Sequence, residues 1–403
     1  MAELTPTQRA LRSFRRNKLA MGGFFFIIIS VIIAILGYLV MPDSTPQAND
    51  MVLQMSLKTP GSKFMLLRIR KSNPIDTVNI FQKLWSGQPN YYTILPITFC
   101  NFSKDSVIVG EYIGAEDKPE RHAYNVFEVY YGQKPIYSKG QVSIKLPGRQ
   151  VLVMANNQQT YNKLYKSFFE DNIVHKTYLL GTDLYGRDLL SRLILGARVS
   201  LSVGLMAVII SLIIGISVGA SAGYYGGKID AVLSWVMNIL WSLPALLLVI
   251  ALSFALGKGL WQIFIAVGLS MWVEVARLVR GQVMALKQVE YIEAARAMGF
   301  NNYRIITRHI LPNITGPILV LASSNFASAI LLEAGLSFLG FGAQPPMPTW
   351  GSMIREHYGY IIMDLAYLAL APGLAIMLMV YAFNLVTVGL RDAFDIKSQS
   401  ARL

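Results

Sequence analysis

Residues 291–313 read YIEAARAMGFNNYRIITRHILPN. Apolar runs at 261–279 and 314–335 flank them, each close to the roughly 20 residues that cross a bilayer, so the stretch is a loop. Its composition is nevertheless helical twice over. Residues from about 288 to 298 are mostly Ala, Arg, Met and Glu, all good helix formers. Gly299 stands where a left-handed C-cap stops such a helix and turns the chain. Asn301 is placed to cap a second helix, with Tyr303, Ile306 and Ile310 on one face and Arg304 and Arg308 on another. Pro312 ends the unit or opens the next span. Physical chemistry alone makes this a basic amphipathic hairpin at a membrane surface.

The surrounding chain supports a membrane setting. Its 403 residues are 54 % hydrophobic and 15 % charged, too apolar for an ordinary soluble domain. Six runs are long enough to span: 19–41, about 200–222, about 231–256, about 261–279, about 314–335 and about 367–390. The net charge of +13 would suit a nucleic-acid binder, but the basic residues flank the spans instead. Arg9, Arg12, Arg15, Arg16 and Lys18 fill the arm 1–18, and Arg277, Arg280, Lys287, Arg296, Arg304 and Arg308 surround the loop 280–313. This positive-inside pattern places both termini and the loop in the cytoplasm. The first run is longer than a signal-peptide core and lacks a following Ala-x-Ala site, so it reads as an uncleaved anchor.

Between the first and second spans, residues 42–177 form a polar insert, expected to be a β-rich or α+β extracytoplasmic domain. Alternating segments at 63–70, 92–99, 106–112, 124–131, 141–146 and 150–154 read as strands. Positions 161, 164, 165, 168 and 169 mark one face of a helix over 157–171. Cys100 is the single cysteine, so no internal disulfide staples this domain. His122 and His175 read as isolated surface or loop residues, and neither a metal-ligand cluster nor a nucleophile–base pair is evident.

Residues 178–395 make a five-helix core, and 396–403 a short cytoplasmic tail. Gly215, Gly219 and Gly223 form a small-residue ridge on the second span, which reads as helix packing. Ionisable and amide groups at membrane depth are candidates for a solute path or gate: Asn238, Glu274, Arg277, Glu333 and Asn384. Glu274 and Arg277, one helical turn apart, could also simply pair with each other.

Three stretches carry a family resemblance. Glu293-Ala294-Ala295, three residues, Gly299, nine residues and then His309-Ile310-Leu311-Pro312 resembles the cytoplasmic coupling loop of ABC importer permeases; histidine at 309 is similar to the peptide-importer branch. LGTDLYGRDLLSRLILGARVSL, residues 180–201, resembles the membrane re-entry segment of dipeptide and oligopeptide permeases of the C type, implying an interfacial helix before the second span. SFLG, QPP and PTWG within 336–354 resemble that family's outer gate. The likeness is loose over 1–41 and close over 178–395; the insert is much longer than that family's usual first outer loop.

The resemblance implies one transmembrane subunit of an ABC importer for peptides or similar small solutes (nickel and opine permeases being close kin) in the bacterial inner membrane. It implies a second homologous permease subunit, two ATP-binding subunits holding ATP and Mg2+, an extracytoplasmic substrate-binding protein, and no nucleic acid. This chain would be a translocation subunit rather than an enzyme, and it lacks the phosphate-loop motif Gly-x-x-x-x-Gly-Lys-Ser/Thr. Glu293, Ala294, Ala295, Met298, Gly299, Arg304, His309, Leu311 and Pro312 would form the surface that meets the ATPase. A secondary transporter, which calls for midplane coupling groups and repeats, and a membrane sensor with a ligand-binding insert are the competing functions.

Overall fold

The basic arm folds as amphipathic helix α1 (Pro6–Arg16), burying Ala10 and Phe14 and leaving Arg9, Arg12, Arg15 and Arg16 exposed. Asn17 interrupts it, and its side chain accepts from the Ala20 amide at 3.2 Å, capping the apolar helix α2 (Lys18–Val40). These elements come from a computed structural model that describes residues 6–72, 78–114, 118–138, 141–146, 149–153, 158–257 and 259–394. The tail 396–403 lies outside the described residues. The chain divides into two compact units, residues 36–195 and residues 1–35 with 196–403.

In the unit 36–195, β1 (Ser62–Arg70) is an interior strand of an antiparallel sheet. Around it run α3 (Ile80–Ser86), β2 (Tyr92–Ser103), β3 (Ser106–Glu111), β4 (Glu120–Asn125) and α4 (Val126–Tyr131). The chain continues through β5 (Ile136–Ser138), β6 (Gln141–Leu146), β7 (Arg149–Val153), α5 (Gln158–Asn172) and β8 (Ile173–Tyr178). One sheet has the order β4-β3-β2-β1-β8 and a second the order β5-β6-β7. Successive residues of β1 point to opposite faces. Leu67 joins Val107, Val109, Val126 and Phe168 under the helices, while Leu66 packs with Val52 and Met55 on the other side.

One reading of this unit needs correction. The strand expected over 124–131 stops at Asn125, the end of β4, and 126–131 are helix α4: Asn125 accepts from the amides of Phe127 and Glu128, and Gly132 ends the turn in the left-handed region. Local capping therefore overrides the alternation of apolar side chains. His122 and His175 lie on β4 and β8, His175 at an exposed surface position as expected and His122 half-exposed. His122 Nε2 sits 3.3 Å from Glu111 and 3.8 Å from Glu120.

The segment that follows β8 is a buried polar turn rather than a free amphipathic strip. Asp183 accepts from the amides of Tyr185 and Arg187 and from Arg187 Nε at 2.6 Å. Ser191 donates to Asp188 at 2.9 Å and accepts from the Asp43 amide at 2.9 Å. Gly186 has φ +72°, and a Cβ there would run into the Val52 carbonyl. No separate interfacial helix precedes the second span, because α6 (Leu189–Tyr225) is one continuous helix of 37 residues.

In the other unit, α6 packs against α9 (Leu260–Leu286) along the glycine ridge. A Cβ on Gly215 or Gly223 would lie 2.7 Å from the carbonyl of Trp272 or Arg280, so the close approach requires glycine. Between them, α7 (Gly227–Ser242) and α8 (Ala245–Leu256) meet at 97°. The single span expected over 231–256 is thus broken at Leu243 and Pro244. Leu243 takes extended backbone angles before Pro244, as the proline ring demands of its predecessor. Among the described residues, five helices have the length and apolarity to cross a membrane, and the bent pair makes a sixth if taken as one span.

The chain then runs through α10 (Glu290–Ala297), α11 (Asn302–Arg304), a π turn Ile305–Ile310 and a tight turn Leu311–Ile314 into α12 (Thr315–Leu339). Helices α13 (Trp350–His357) and α14 (Tyr367–Phe394) complete the fold. Thr349 and Ser352 cap α13 reciprocally.

The candidate coupling hairpin and polar helix break

Helix α10 carries Glu290 and Glu293 in its first turn, where carboxylates suit the positive end of the helix. Its end is built locally. Gly299, at φ +82°, donates to the Arg296 carbonyl at 3.0 Å, and Phe300 donates to the Ala295 carbonyl at 3.2 Å. This paired reversal satisfies carbonyls that the helix leaves open. Asn301 then accepts from the Arg304 amide at 2.8 Å and starts the second limb.

The second limb departs from ordinary helical spacing. Ile305 and Ile310, five residues apart, are fully buried, whereas Tyr303 is 76 % exposed. The face expected from Tyr303, Ile306 and Ile310 is therefore not the buried one. A π turn widens the repeat and brings 305 and 310 into line. Of the two roles open to Pro312, the structure shows the second: it stands at the start of the tight turn Leu311–Ile314 that leads directly into α12.

Ile292, Ala295, Ile305 and Ile310 pack on Val275, Val279 and Val283 of α9 and on Ala220 of α6. Ala295, expected on the partner-facing surface, is 2 % exposed and belongs to this core. Leu311 packs partly against the same cluster. His309 stacks on Phe300 with ring centroids 5.8 Å apart, and the Arg304 guanidinium lies over the Phe300 ring at 4.2 Å. Glu293, Ala294, Met298, Gly299, Arg304 and Pro312 remain exposed, together with Tyr291 and Tyr303. The result is an apolar and aromatic patch edged by charge, on a hairpin anchored from beneath.

Tyr224, at the end of α6, is the anchor that sequence reading overlooked. It is buried, its hydroxyl donates to Asn302 at 2.8 Å, and its carbonyl accepts from Lys287 Nζ at 2.5 Å. Arg296 sits over its ring at 5.9 Å. The only sequence signal was an aromatic at a span end, a feature common to many membrane helices.

A second polar group surrounds the helix break. Arg277 of α9 donates to Asn238 of α7 at 2.7 Å and lies 4.3 Å from the Trp241 ring. Arg280 holds Asp230 through two bonds, at 2.5 and 2.7 Å. Glu274 does not pair with Arg277: it is exposed, with no hydrogen-bond or ion-pair partner among the described residues. Asn384 is exposed on α14. Glu333 differs from these. Its carboxylate is fully buried and accepts from Ser200 at 3.0 Å and Ser337 at 2.7 Å, joining α12 to α6.

Residues 198–398 match the family described as binding-protein-dependent transport system inner membrane component. Residues 5–60 match the N-terminal TM domain of oligopeptide transport permease C. The glutathione transport system permease protein GsiD of Pectobacterium atrosepticum is 43 % identical over 55 % of this chain and 73 % of its own length. The chain is an ABC importer permease subunit. The dipeptide transport system permease protein DppC of Alkalihalophilus pseudofirmus is 46 % identical over 55 % of this permease and 72 % of that protein. Among solved structures, a chain of the inward-facing MetNI methionine ABC transporter matches with TM-score 0.40 at 20 % identity, covering 50 % of this chain and 97 % of that one. The permease is a multi-pass membrane protein, and secondary transport and sensing are not favoured as its function.

Proposed function

We propose that this permease imports peptides or similar small solutes, and that residues 290–313 dock on a separate ATP-binding subunit. The observation that carries the reading is the hairpin's two-sided construction. Ile292, Ala295, Ile305 and Ile310 fasten it to the helix core, while Met298 at 66 % and Tyr303 at 76 % exposure face outward beside Glu293 and Arg304. Large exposed apolar groups rimmed by charge suit a partner protein. Movement of the ATPase would pass through the hairpin into α6, α9 and α12.

In this reading ATP and Mg2+ are held by two partner ATPases, and a second homologous permease completes the path. An extracytoplasmic binding protein delivers solute. In the same reading the chain crosses the membrane six times, the third span broken at Leu243–Pro244, with both termini and the hairpin in the cytoplasm and 42–177 as an extracytoplasmic domain. Broken helices commonly line solute sites near the bilayer centre. Asn238, Glu274, Arg277 and Asn384 are assigned to the path, and Glu333 to the helix tie that supports it. The peptide assignment draws on the dipeptide and glutathione permeases, matched over more than two thirds of their length.

The test is cross-linking in the co-expressed importer, with Met298→Cys in a Cys100→Ser background. A short bifunctional thiol reagent is expected to join residue 298 to an ATP-binding subunit carrying a groove cysteine. Labelling of Met298→Cys without any such adduct, across a scan of groove positions, would remove the hairpin from the interface.

A further inference from the structure

The unit built from residues 1–35 and 196–403 contains a groove of about 770 Å³ between α1, α2, α12 and α14. Leu11, Phe14, Phe24, Leu319, Leu390 and Phe394 supply its walls. Arg15 is the one charged side chain among the described residues that line it. The groove is a built feature rather than a gap beside a loose arm. A Cβ at Gly389 would meet Ala20 and Phe14, and one at Gly316 of α12 would lie 2.7 Å from the Phe394 ring, so α14 is fitted to α1, α2 and α12 at glycine contacts.

Two properties select the occupant. The apolar walls offer almost nothing to the donors and acceptors of an entering extended polypeptide, which would leave its own peptide groups unsatisfied. A hydrocarbon chain has no such need. At the roughly 30 Å³ share of a small solvent molecule per methylene, a 16-carbon chain needs about 500 Å³. The groove therefore takes one chain and part of another. The charge at its edge is the second property. Arg9, Arg12, Arg15, Arg16 and Lys18 fall within one short stretch, and no acidic residue occurs from residue 4 to residue 42. The neighbouring end of α14 contributes Arg391 and Asp392, which offset each other. Basic groups beside a crevice between membrane helices complement an anionic headgroup.

We infer that this groove binds an anionic diacyl phospholipid of the surrounding leaflet, its acyl chain lying between Phe14, Leu319 and Leu390 and its phosphate at Arg15. The lipid fixes α1 to the last span. The inference requires only that the helices lie in a membrane. It stands or falls separately from peptide import and from docking of the hairpin.

The experiment uses the assembled importer in nanodiscs containing both phosphatidylglycerol and phosphatidylethanolamine, released into native mass spectrometry. Wild-type importer is expected to retain phosphatidylglycerol on this subunit in preference to phosphatidylethanolamine. Leu390→Trp fills the groove and should lower retention at least tenfold; Leu319→Trp, which enters from the opposite wall, serves if the first variant fails to assemble. Arg15→Gln should keep a lipid but lose about fivefold of the headgroup preference. Phosphatidylglycerol photolabelled in its acyl chain should mark α14 in wild type. Retention unchanged in an assembled groove-filling variant, no retained phospholipid in wild type, or cross-links from Leu390→Cys to the second permease in place of lipid labelling would each overturn the inference.

Discussion

The Tyr224 hydroxyl donates to Oδ1 of Asn302 at 2.8 Å, tying the last turn of α6 to the second limb of the hairpin. A single bond of this kind contributes about 1 kcal/mol. Tyr224→Phe keeps the ring beneath Lys287 and Arg296 but removes this tie. The variant importer is expected to assemble and hydrolyse ATP while moving several-fold less solute per ATP. Paired measurements of uptake and hydrolysis in proteoliposomes check it, and an unchanged ratio would free the hydroxyl from any role in coupling.

Gly299 has φ +82° and open space where a Cβ would go, so the cost of replacing it is backbone strain rather than collision. A β-branched residue there carries about 1–2 kcal/mol of that strain, and Asn, which tolerates the left-handed region, less. Gly299→Val is expected to abolish solute-stimulated ATP hydrolysis and weaken ATPase attachment, with Gly299→Asn partly active. Glu293→Lys reverses an exposed charge without touching the core, and should lose stimulation while leaving membrane insertion intact. Near wild-type transport by both Gly299→Val and Glu293→Lys would show that this hairpin is not the coupling element.

Glu333 and Glu274 should respond oppositely to truncation. Glu333→Ala leaves the Ser200 and Ser337 hydroxyls buried without their acceptor, at a cost of about 1–3 kcal/mol. Thermal unfolding of the detergent-solubilised subunit should move down by several degrees. Glu274→Ala should leave the midpoint in place and lower uptake. A destabilised Glu274→Ala with a stable Glu333→Ala would reverse the assignment of tie and path.

Cys100 lies half-buried on β2, where burial pushes its thiol from its ordinary 9.0 up to about 11. The thiolate is the reactive form, so alkylation at pH 8 should run about 100-fold slower in folded than in unfolded protein. The sign for stability follows from the same shift. The fold favours the protonated thiol, so Cys100 contributes least as pH rises from 9 toward 11. Equal alkylation rates with and without denaturant would place the thiol in water.

Orientation is testable with Lys163→Cys on α5 and Asn301→Cys in the hairpin, each exposed and each in a Cys100→Ser background. An impermeant thiol reagent added to intact cells should label residue 163 and spare residue 301. The opposite pattern would invert the topology.

What the sequence determined by itself was local. The apolar lengths, the glycine ridge, the stop at Gly299 and the cap at Asn301 depend on φ, ψ and neighbours within one turn, so they can be read without a fold. The same local rule also explains the misreading of 124–131, where Asn125 and Gly132 were the capping signals passed over in favour of alternation. Tertiary structure decided the rest. Arg277 pairs with Asn238, 39 residues away, Arg280 with Asp230, 50 away, and Tyr224 with Asn302, 78 away. No periodicity reports such partners, because each exists only after separate helices have packed. The burial of Ala295 inside an apparent docking motif and the alignment of Ile305 with Ile310 have the same origin. A core formed by α6 and α9 chose which face of the hairpin to cover, and the backbone widened into a π turn to meet it.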